Sequence, residues 1–186
     1  MSEEETQPKP EKAVAKAKND EPEAPAPIPA GFFGALLEKE GFTVTHLGND
    51  AVGTEAIQVD CPVLLGVAKT LRDHSDMAFD LLLSVSGVDM KDHRLSVTHL
   101  YSLKTKKYLT IKTPAQVDAE GVDRVPSLMP VWHAADWHER EAYDLMGIHY
   151  DGHEDLKRIL MPMDWVGYPL RKDYVENDPR LVWNRR

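Results

Sequence analysis

The residues from Trp137 to Tyr174 constrain the fold more than any other part of this sequence, because they join a short charged helix to a long segment without a regular period. Beyond the helix, His, Arg, Trp, Pro and Gly recur at spacings that fit neither a helix nor a strand. The stretch has no spacing typical of a nucleophile, a metal cage or a phosphate loop. Side chains of these types bury large areas or form several hydrogen bonds, so the stretch favours a docking surface over a reaction centre.

The charged helix has recognisable start and stop signals. Asp136 and Glu139 have the spacing of a capping box, in which the first carboxylate accepts from backbone amides and the second reaches back. We therefore predict a helix over 137–146 that ends at Gly147, since glycine adopts the left-handed conformation at least cost.

The faces of this helix leave two interpretations open. Arg140 and Asp144 are four residues apart and are expected to pair, with Glu141 on a neighbouring face. Bulky side chains surround the same helix, namely Trp137, Tyr143, Leu145 and Met146. A helix that is apolar on one side and charged on the other is typical of an interface, whereas the alternative is an exposed helix with weak ion pairs.

The residues before this helix predict a small domain. The predicted elements are a helix from Phe32 to Gly41, strands at 42–44 and 56–59 around a turn at 48–50, a helix from Val63 to Asp73, a buried strand at 79–88, and a hairpin with strands at 95–100 and 108–112. Residues 113–131 are expected to be connecting chain with at most one short turn of helix. This order favours a two-layer α+β domain with helices packed on one mixed β-sheet, followed by the charged helix and a long irregular C-terminal extension.

Composition sets the boundaries of these units. Residues 1–30 contain six of the thirteen prolines and no aromatic residue, which predicts a disordered tail rich in Pro, Ala, Glu and Lys. We expect the α+β domain at 31–131 and the helix with its docking segment at 132–186. All four tryptophans, among them Trp183, lie in that last unit. The segment after the helix, extended over 156–162, can lie along a partner or pack back on its own sheet.

Charge and cysteine content exclude several functions. A net charge of −9 disfavours nucleic-acid binding, which needs a basic face. No apolar run approaches the roughly 20 residues that a membrane-spanning helix needs. The single cysteine, Cys61, excludes an internal disulfide and an iron–sulfur cluster held by this chain alone.

Four histidines, at 133, 138, 149 and 153, raise the possibility of a metal enzyme. The zinc-peptidase pattern needs two histidines four apart on one helix, and no second histidine follows His138 at that distance. His149 and His153 are four apart, but we expect them on a turn. His153 is instead expected to be an ordered hydrogen-bonding residue, and a metal site remains the alternative.

At this point the sequence resembles a known family. The pattern is similar to the signature of the C subunit of NADH:quinone oxidoreductase, the respiratory complex I, whose counterpart in chloroplasts and cyanobacteria is the J subunit. The matching residues are Glu139-Arg140-Glu141, Asp144-Leu145-Met146, His153, Lys157, Arg158-Ile159-Leu160-Met161-Pro162, Asp164-Trp165 and Pro169-Leu170-Arg171-Lys172-Asp173-Tyr174.

The resemblance implies a non-catalytic peripheral-arm subunit in the quinone module of a proton-translocating complex. It implies no cofactor in this chain, whereas the complex uses iron–sulfur clusters, FMN with NADH, and a quinone. The implied partners are the hydrogenase-like large subunit and the cluster-bearing subunits. The implied location is peripheral, on the cytoplasmic side of the bacterial cell membrane or, alternatively, on the thylakoid membrane. The alternative function is the equivalent subunit of an energy-converting membrane-bound hydrogenase or of a ferredoxin-fed complex.

The resemblance also implies a set of interface positions without catalytic, cofactor-binding or metal-binding roles. They are Trp137, Glu139, Arg140, Glu141, Asp144, Gly147, His153, Lys157, Arg158, Leu160, Pro162, Asp164, Trp165, Pro169, Leu170, Arg171, Lys172, Asp173 and Tyr174.

Overall fold

Helices pack on a mixed five-stranded sheet in the computed structural model, which describes residues 31–50 and 53–175. The elements are α1 (Phe32–Lys39), β1 (Thr45–Asn49), β2 (Glu55–Gln58), α2 (Cys61–Asp73), β3 (Leu81–Asp89), β4 (Arg94–Ser102), β5 (Lys107–Pro114), β6 (Gln116–Val117), β7 (Asp123–Pro126), α3 (Ala135–Met146) and β8 (Ile148–Asp151). The predicted α+β class is confirmed. The predicted tail at 1–30 and Trp183 lie outside the described residues.

The large sheet has the strand order β1-β2-β5-β4-β3, in which β2 and β5 are parallel and the other pairs antiparallel. The predicted hairpin is confirmed as β4 and β5, which pair from Leu95 with Pro114 to Ser102 with Lys107. Side chains of successive strands line up in rows across the inner face. One such row is Leu82, Leu100 and Leu109, all buried in the core.

The first two helices bury their apolar sides on that inner face. Phe33 and Leu37 of α1 are buried, and so are Leu64 and Leu71 of α2. The residue before α1 is a glycine without a capping side chain. The carboxylate of Glu55 on β2 takes that role, because it accepts from the backbone amides of Phe33 at 3.0 Å and Gly34 at 2.8 Å.

Two strand predictions need correction. The first strand lies at Thr45–Asn49 and not at 42–44, where Val44 instead fills the core. The strand predicted at 79–88 is Leu81–Asp89, and it is buried on one face only, since Leu81 and Val88 are exposed.

A second, three-stranded sheet with the order β6-β7-β8 contradicts the prediction of connecting chain at 113–131. Strands β6 and β7 span two and four residues, which is too short for an alternating pattern to appear. Strand β8 pairs in parallel with β7 and contains His149, so that histidine lies on a strand and not on the predicted turn.

Helix α3 packs closely against β3. A Cβ atom at Gly87 would lie 2.9 Å from Met146 and 3.1 Å from Ile148, so the missing side chain permits this approach. The helix begins at Ala135, two residues before the predicted start, and no side chain caps it. The capping box is therefore wrong, because Glu139 is bound elsewhere. The predicted end is confirmed, since Gly147 has a φ of 72°.

Candidate interface formed by helix α3 and residues 152–175

The carboxylate of Asp144 fixes residues 152–175, here called the C-terminal segment, to helix α3. Asp144 is fully buried, and its Oδ2 accepts three consecutive backbone amides, from Ile159 at 3.0 Å, Leu160 at 2.7 Å and Met161 at 2.8 Å. Its Oδ1 lies 2.7 Å from Nη1 of Arg158. The predicted pair of Asp144 with Arg140 is thus wrong.

The same contacts explain two further properties of this site. Three amides that converge on one oxygen require a bend, so 156–162 does not form the extended run that we predicted. Burial alone would raise the pKa of Asp144, but the amide of Met161, the Arg158 guanidinium and the amides of Leu160 and Ile159 outweigh it and hold that pKa below its usual range.

Two arginines and one amide satisfy the carbonyl groups at the end of α3, which have no partner within the helix. The carbonyl of Asp144 accepts from Arg158 at 2.9 Å, and the carbonyl of Leu145 accepts from the amide of Leu170 at 3.0 Å. Nε of Arg171 donates to the carbonyl of Met146 at 2.7 Å. Cations at this end also interact favourably with the helix dipole.

The ring of Tyr168 contacts both of these guanidinium groups. Its centroid is 5.3 Å from Arg158 and 4.4 Å from Arg171, both within the range of a cation–π contact. A Cβ atom at Gly147 would overlap the Arg171 guanidinium and the Tyr168 ring. Glycine is therefore required at this position for its space as well as for its positive φ.

Two carboxylates from the sheets hold the far end of the segment. Asp123 of β7 is fully buried and accepts from Arg94 at 2.7 Å and Arg171 at 3.5 Å. Asp89 of β3 accepts from the amide of Lys172 at 2.9 Å. This bond and one from the amide of Lys91 lower the pKa of Asp89. Asp89 and Asp123 are absent from the predicted residues, because no local pattern marks residues whose partners lie tens of positions away. Tyr168 is also absent, although its partners Arg158 and Arg171 are close to it in the sequence.

Glu139 connects α3 to the turn that precedes it. Its side chain is fully buried, with Oε2 accepting from the hydroxyl of Ser127 at 2.6 Å and Oε1 from the amide of Leu128 at 2.7 Å. Burial raises the pKa of Glu139 to about 7, although these two hydrogen bonds act in the opposite direction. This residue is internal and does not belong to an outward charged face.

His153 is confirmed as an ordered hydrogen-bonding residue. Its side chain is buried, and Nδ1 accepts from the amide of Asp155 at 3.1 Å. Nε2 then carries the proton and faces the carbonyl and the carboxylate of Asp136 at 3.3 and 3.2 Å. Within the described residues, no group of three His, Cys, Asp or Glu side chains is arranged to hold a metal ion.

The outward side of the same region carries several exposed apolar side chains. Large apolar side chains there, the exposed apolar set, are between 59% and 87% exposed, and they are Trp137, Leu160, Met163, Val166, Leu170 and Val175. Arg140 covers part of Trp137, with its guanidinium 5.3 Å from the ring, and Nε of Arg140 donates to the carbonyl of Lys157 at 3.2 Å. As whole residues, those of the C-terminal segment are exposed or half-buried, although the side chain of His153 is buried.

The structure thus divides the sequence-derived interface residues into two groups. The inward-facing group consists of Glu139, Asp144, Gly147 and His153 together with Arg158 and Arg171, whose side chains are 12% and 20% exposed. Their contacts show that the segment is packed back on its own domain. The exposed members of the other group are Trp137, Glu141, Lys157, Leu160, Pro162, Asp164, Leu170, Lys172 and Asp173. Its half-buried members are Arg140, Trp165, Pro169 and Tyr174. Helices in the described part of the chain are all too short or too polar to cross a membrane.

Comparisons with known proteins give consistent results. The family described as respiratory-chain NADH dehydrogenase, 30 Kd subunit, matches residues 57–180. The chain is 41% identical over 139 residues to the NADH-quinone oxidoreductase C subunit of Chloroherpeton thalassium, covering 74% of this chain and 57% of that one. It is 37% identical over 143 residues to the corresponding C subunit of Leptothrix cholodnii, covering 72% of this chain and 70% of that one. The chain therefore spans little more than half the length of the first of these relatives.

A solved structure shows the same fold. It belongs to the membrane-bound sulfane sulfur reductase, an archaeal respiratory membrane complex, and matches with a TM-score of 0.57 at 22% identity, covering 76% of this chain and 82% of that one.

Proposed function

Because this chain belongs to the family of the 30 kDa subunit of respiratory-chain NADH dehydrogenase, we propose that it is a non-catalytic subunit in the peripheral arm of a proton-translocating NADH:quinone oxidoreductase. In this proposal the chain belongs to the quinone module. It positions the partner subunits that carry the iron–sulfur clusters and the quinone site. The names of the two relatives favour NADH as the electron donor over the hydrogenase-type and ferredoxin-fed alternatives.

The exposed apolar set is the observation that supports a docking role. Met163 and Val166 are 73% and 87% exposed, on a segment that is nevertheless fixed in place by Asp144. Covering an apolar side chain of this size contributes about 1.5–3 kcal/mol to association. Several such residues on one segment provide enough free energy for a stable contact between subunits.

The internal contacts support the idea that this surface is held ready for its partner. Flexible segments lose conformational entropy when they bind, and this loss weakens the complex. The contacts of Asp144, Arg158 and Arg171 reduce that loss, because they hold the segment on helix α3 before a partner binds. They act as positioning residues, whereas the exposed apolar set makes the contact.

A non-catalytic role agrees with the chemistry of the region. Glu139 and Asp144, which the resemblance implied as interface positions, are fully buried and bound within the domain. The outward positions carry exposed apolar and aromatic groups, interspersed with charged side chains such as Glu141, Lys157 and Asp164. Under this proposal FMN, the clusters and the quinone are bound by the partners, chiefly the hydrogenase-like large subunit and the cluster-bearing subunits. The chain is then attached peripherally to the cytoplasmic side of the membrane through the complex.

A pair of substitutions on the exposed surface tests the proposal. Met163→Asp combined with Val166→Asp should lower the amount of chain that co-purifies with the membrane-bound complex at least tenfold, with a parallel loss of NADH:quinone reductase activity. The melting temperature of the isolated chain should stay the same, because both side chains are exposed. Val117→Asp is the matched control, since Val117 is a similarly exposed valine, at 61%, on β6.

Two results would contradict the proposal. The first is a double variant that assembles and reduces quinone as the wild type does. The second is an isolated wild-type chain that oxidises NADH or reduces quinone without partners.

A further inference from the structure

The five-stranded sheet has a second face that the helices do not cover, here called the outer face. Rows of paired residues define it, because paired residues on neighbouring strands point to the same side. One row is Leu81, Tyr101 and Tyr108, and another is Ser86, Val97 and Lys112. These rows alternate with the buried row of Leu82, Leu100 and Leu109, against which the helices pack.

The outer face combines apolar and aromatic side chains with uncharged polar ones such as Ser84 and Ser86. Leu81 and Val88 are 40% and 38% exposed, and Tyr108 is 54% exposed. The rings of Tyr101 and Tyr108 are in contact, with centroids 4.6 Å apart. Exposed apolar surface that extends over several strands marks an interaction site, and tyrosine is among the residues enriched at interfaces.

Charge is depleted on this face. Asp, Glu, Lys and Arg make up 28% of the chain, yet the outward positions of β3, β4 and β5 carry one such residue, Lys112. Depletion of charge is typical of the centre of an interface and not of a solvated sheet face. The face therefore differs from the rest of this acidic chain.

Lys112 indicates what the missing partner must supply. It is half-buried between Val97 and Gln58, its neighbours in register, and its ammonium group has no hydrogen-bond or ion-pair partner in the described part of the chain. A cation that an interface covers must be paired, since burying an unpaired charge is costly. A binding surface complementary to the outer face must therefore place a carboxylate opposite Lys112.

We propose that the outer face binds a second polypeptide, different from this chain, which presents an apolar surface with a carboxylate opposite Lys112. A second copy of this chain fits less well. In a symmetric dimer through this face, the same patch lies on both sides, and the outward positions of β3, β4 and β5 hold no carboxylate to meet either lysine. An anionic ligand such as a nucleic acid fails for another reason, because one lysine does not make a basic surface.

This inference goes beyond the proposed function, because it adds a surface on the side of the sheet opposite the helices. It rests on the proposed function in one respect: the partner is expected within the same membrane complex. The two docking surfaces can therefore be tested separately in one preparation.

Labelling of a single introduced thiol tests whether the outer face is covered. Ser86→Cys places a thiol at an exposed outward position of β3, and the native Cys61 is buried. The rate of maleimide labelling should fall at least tenfold when the chain is in the purified complex, compared with the whole 186-residue chain alone. A cross-linker attached to the introduced thiol should join this chain to a different subunit.

Charge reversal tests the carboxylate. Lys112→Glu should weaken retention of the cross-linked subunit at least tenfold, whereas Lys112→Met, which keeps the length and removes the charge, should weaken it less. Replacing the partner's cross-linked carboxylate with lysine should restore retention by the Lys112→Glu variant.

Several results would overturn the inference. Equal labelling of Ser86→Cys in the complex and alone would do so, and so would cross-links between copies of this chain only. A third result is slow labelling of the isolated chain that becomes fast when residues 1–30 or 176–186 are removed. It would show that the ends of this chain, and not a partner, cover the outer face. Equal labelling in an intact complex leaves the proposed function standing, whereas a chain that joins no membrane complex overturns both proposals.

Discussion

Asp144→Asn isolates the contact on which the position of the C-terminal segment depends. The substitution keeps the shape of the side chain and removes its charge. The NH2 group of asparagine must then face either Arg158 or the three backbone amides at 159–161. In either orientation this hydrogen-bond donor faces other donors and forms no hydrogen bond with them. A hydrogen bond to a charged group contributes about 1.5–3 kcal/mol, and loss of one partner of a buried ion pair costs about 3–5 kcal/mol. We expect a loss of about 3–5 kcal/mol in the free energy that holds the segment.

The loss should be local. Apart from the buried His153 side chain, the C-terminal segment is exposed or half-buried, so it can detach while the sheet and helices remain folded. In hydrogen exchange, the amides of Ile159, Leu160 and Met161 should exchange about a hundredfold faster or more, whereas the amides of β4 should keep their rates. Glu141→Gln is the matched control, because Glu141 lies on the same helix and is exposed. Its effect on stability should stay within about 0.5 kcal/mol.

The pH dependence provides a second measurement on the same contact. The folded-state pKa of Asp144 is lowered, so the stabilisation is complete above the ordinary value of about 3.9 and is lost as the pH falls through the lower folded value. Acid should therefore release the segment of the wild type, and the Asp144→Asn variant should respond little. Unchanged exchange at 159–161 in the variant at neutral pH would refute the reasoning.

Two further predictions concern Glu139 and Gly147. The pKa of Glu139 is raised to about 7, so its contribution to stability is present at low pH and is lost as the pH rises through that value. The free energy of unfolding of the wild type should therefore fall by about 3 kcal/mol between pH 4 and pH 9. Chemical denaturation of Glu139→Gln should show a flatter dependence on pH. Equal slopes in the two proteins would contradict it. Gly147→Ala should cost about 1–2 kcal/mol for the left-handed conformation, and more because its Cβ overlaps Arg171 and Tyr168. Gly152→Ala is the control, since Gly152 has a φ of +86° and nothing lies within 4 Å of a Cβ atom added there. Equal losses of stability in thermal unfolding for the two variants would show that the overlap at Gly147 has no effect.

Local patterns predicted much of the fold. Helix α2 follows from a stripe of apolar residues after Pro62, and the β4–β5 hairpin follows from two alternating runs joined by a lysine-rich turn. The end of α3 follows from Gly147. In each case the signal lies within the element itself, and the structure agrees.

The predictions that failed depend on contacts between distant residues. The capping box assigned Glu139 to the start of α3, but its partners are Ser127 and Leu128 in the preceding turn. The spacing of Arg140 and Asp144 suggested an ion pair, but Asp144 binds Arg158 inside the protein. Carboxylates are rarely buried without such partners, so a helical pattern by itself places them on the outside.

The positions that match the family therefore belong to two functional classes that the sequence cannot separate. Asp144 is fully buried and the side chain of Arg158 is only 12% exposed, yet their contacts determine where Leu160 lies, because the amide of Leu160 donates to Asp144. An internal residue can thus affect docking as strongly as a contact residue, since a displaced contact is lost even when its side chain is intact. The two classes differ in what they change: an internal substitution must loosen the isolated chain, whereas an outward one must leave it unaltered. Reduced assembly is therefore evidence for a contact residue only when hydrogen exchange in the isolated chain is unchanged.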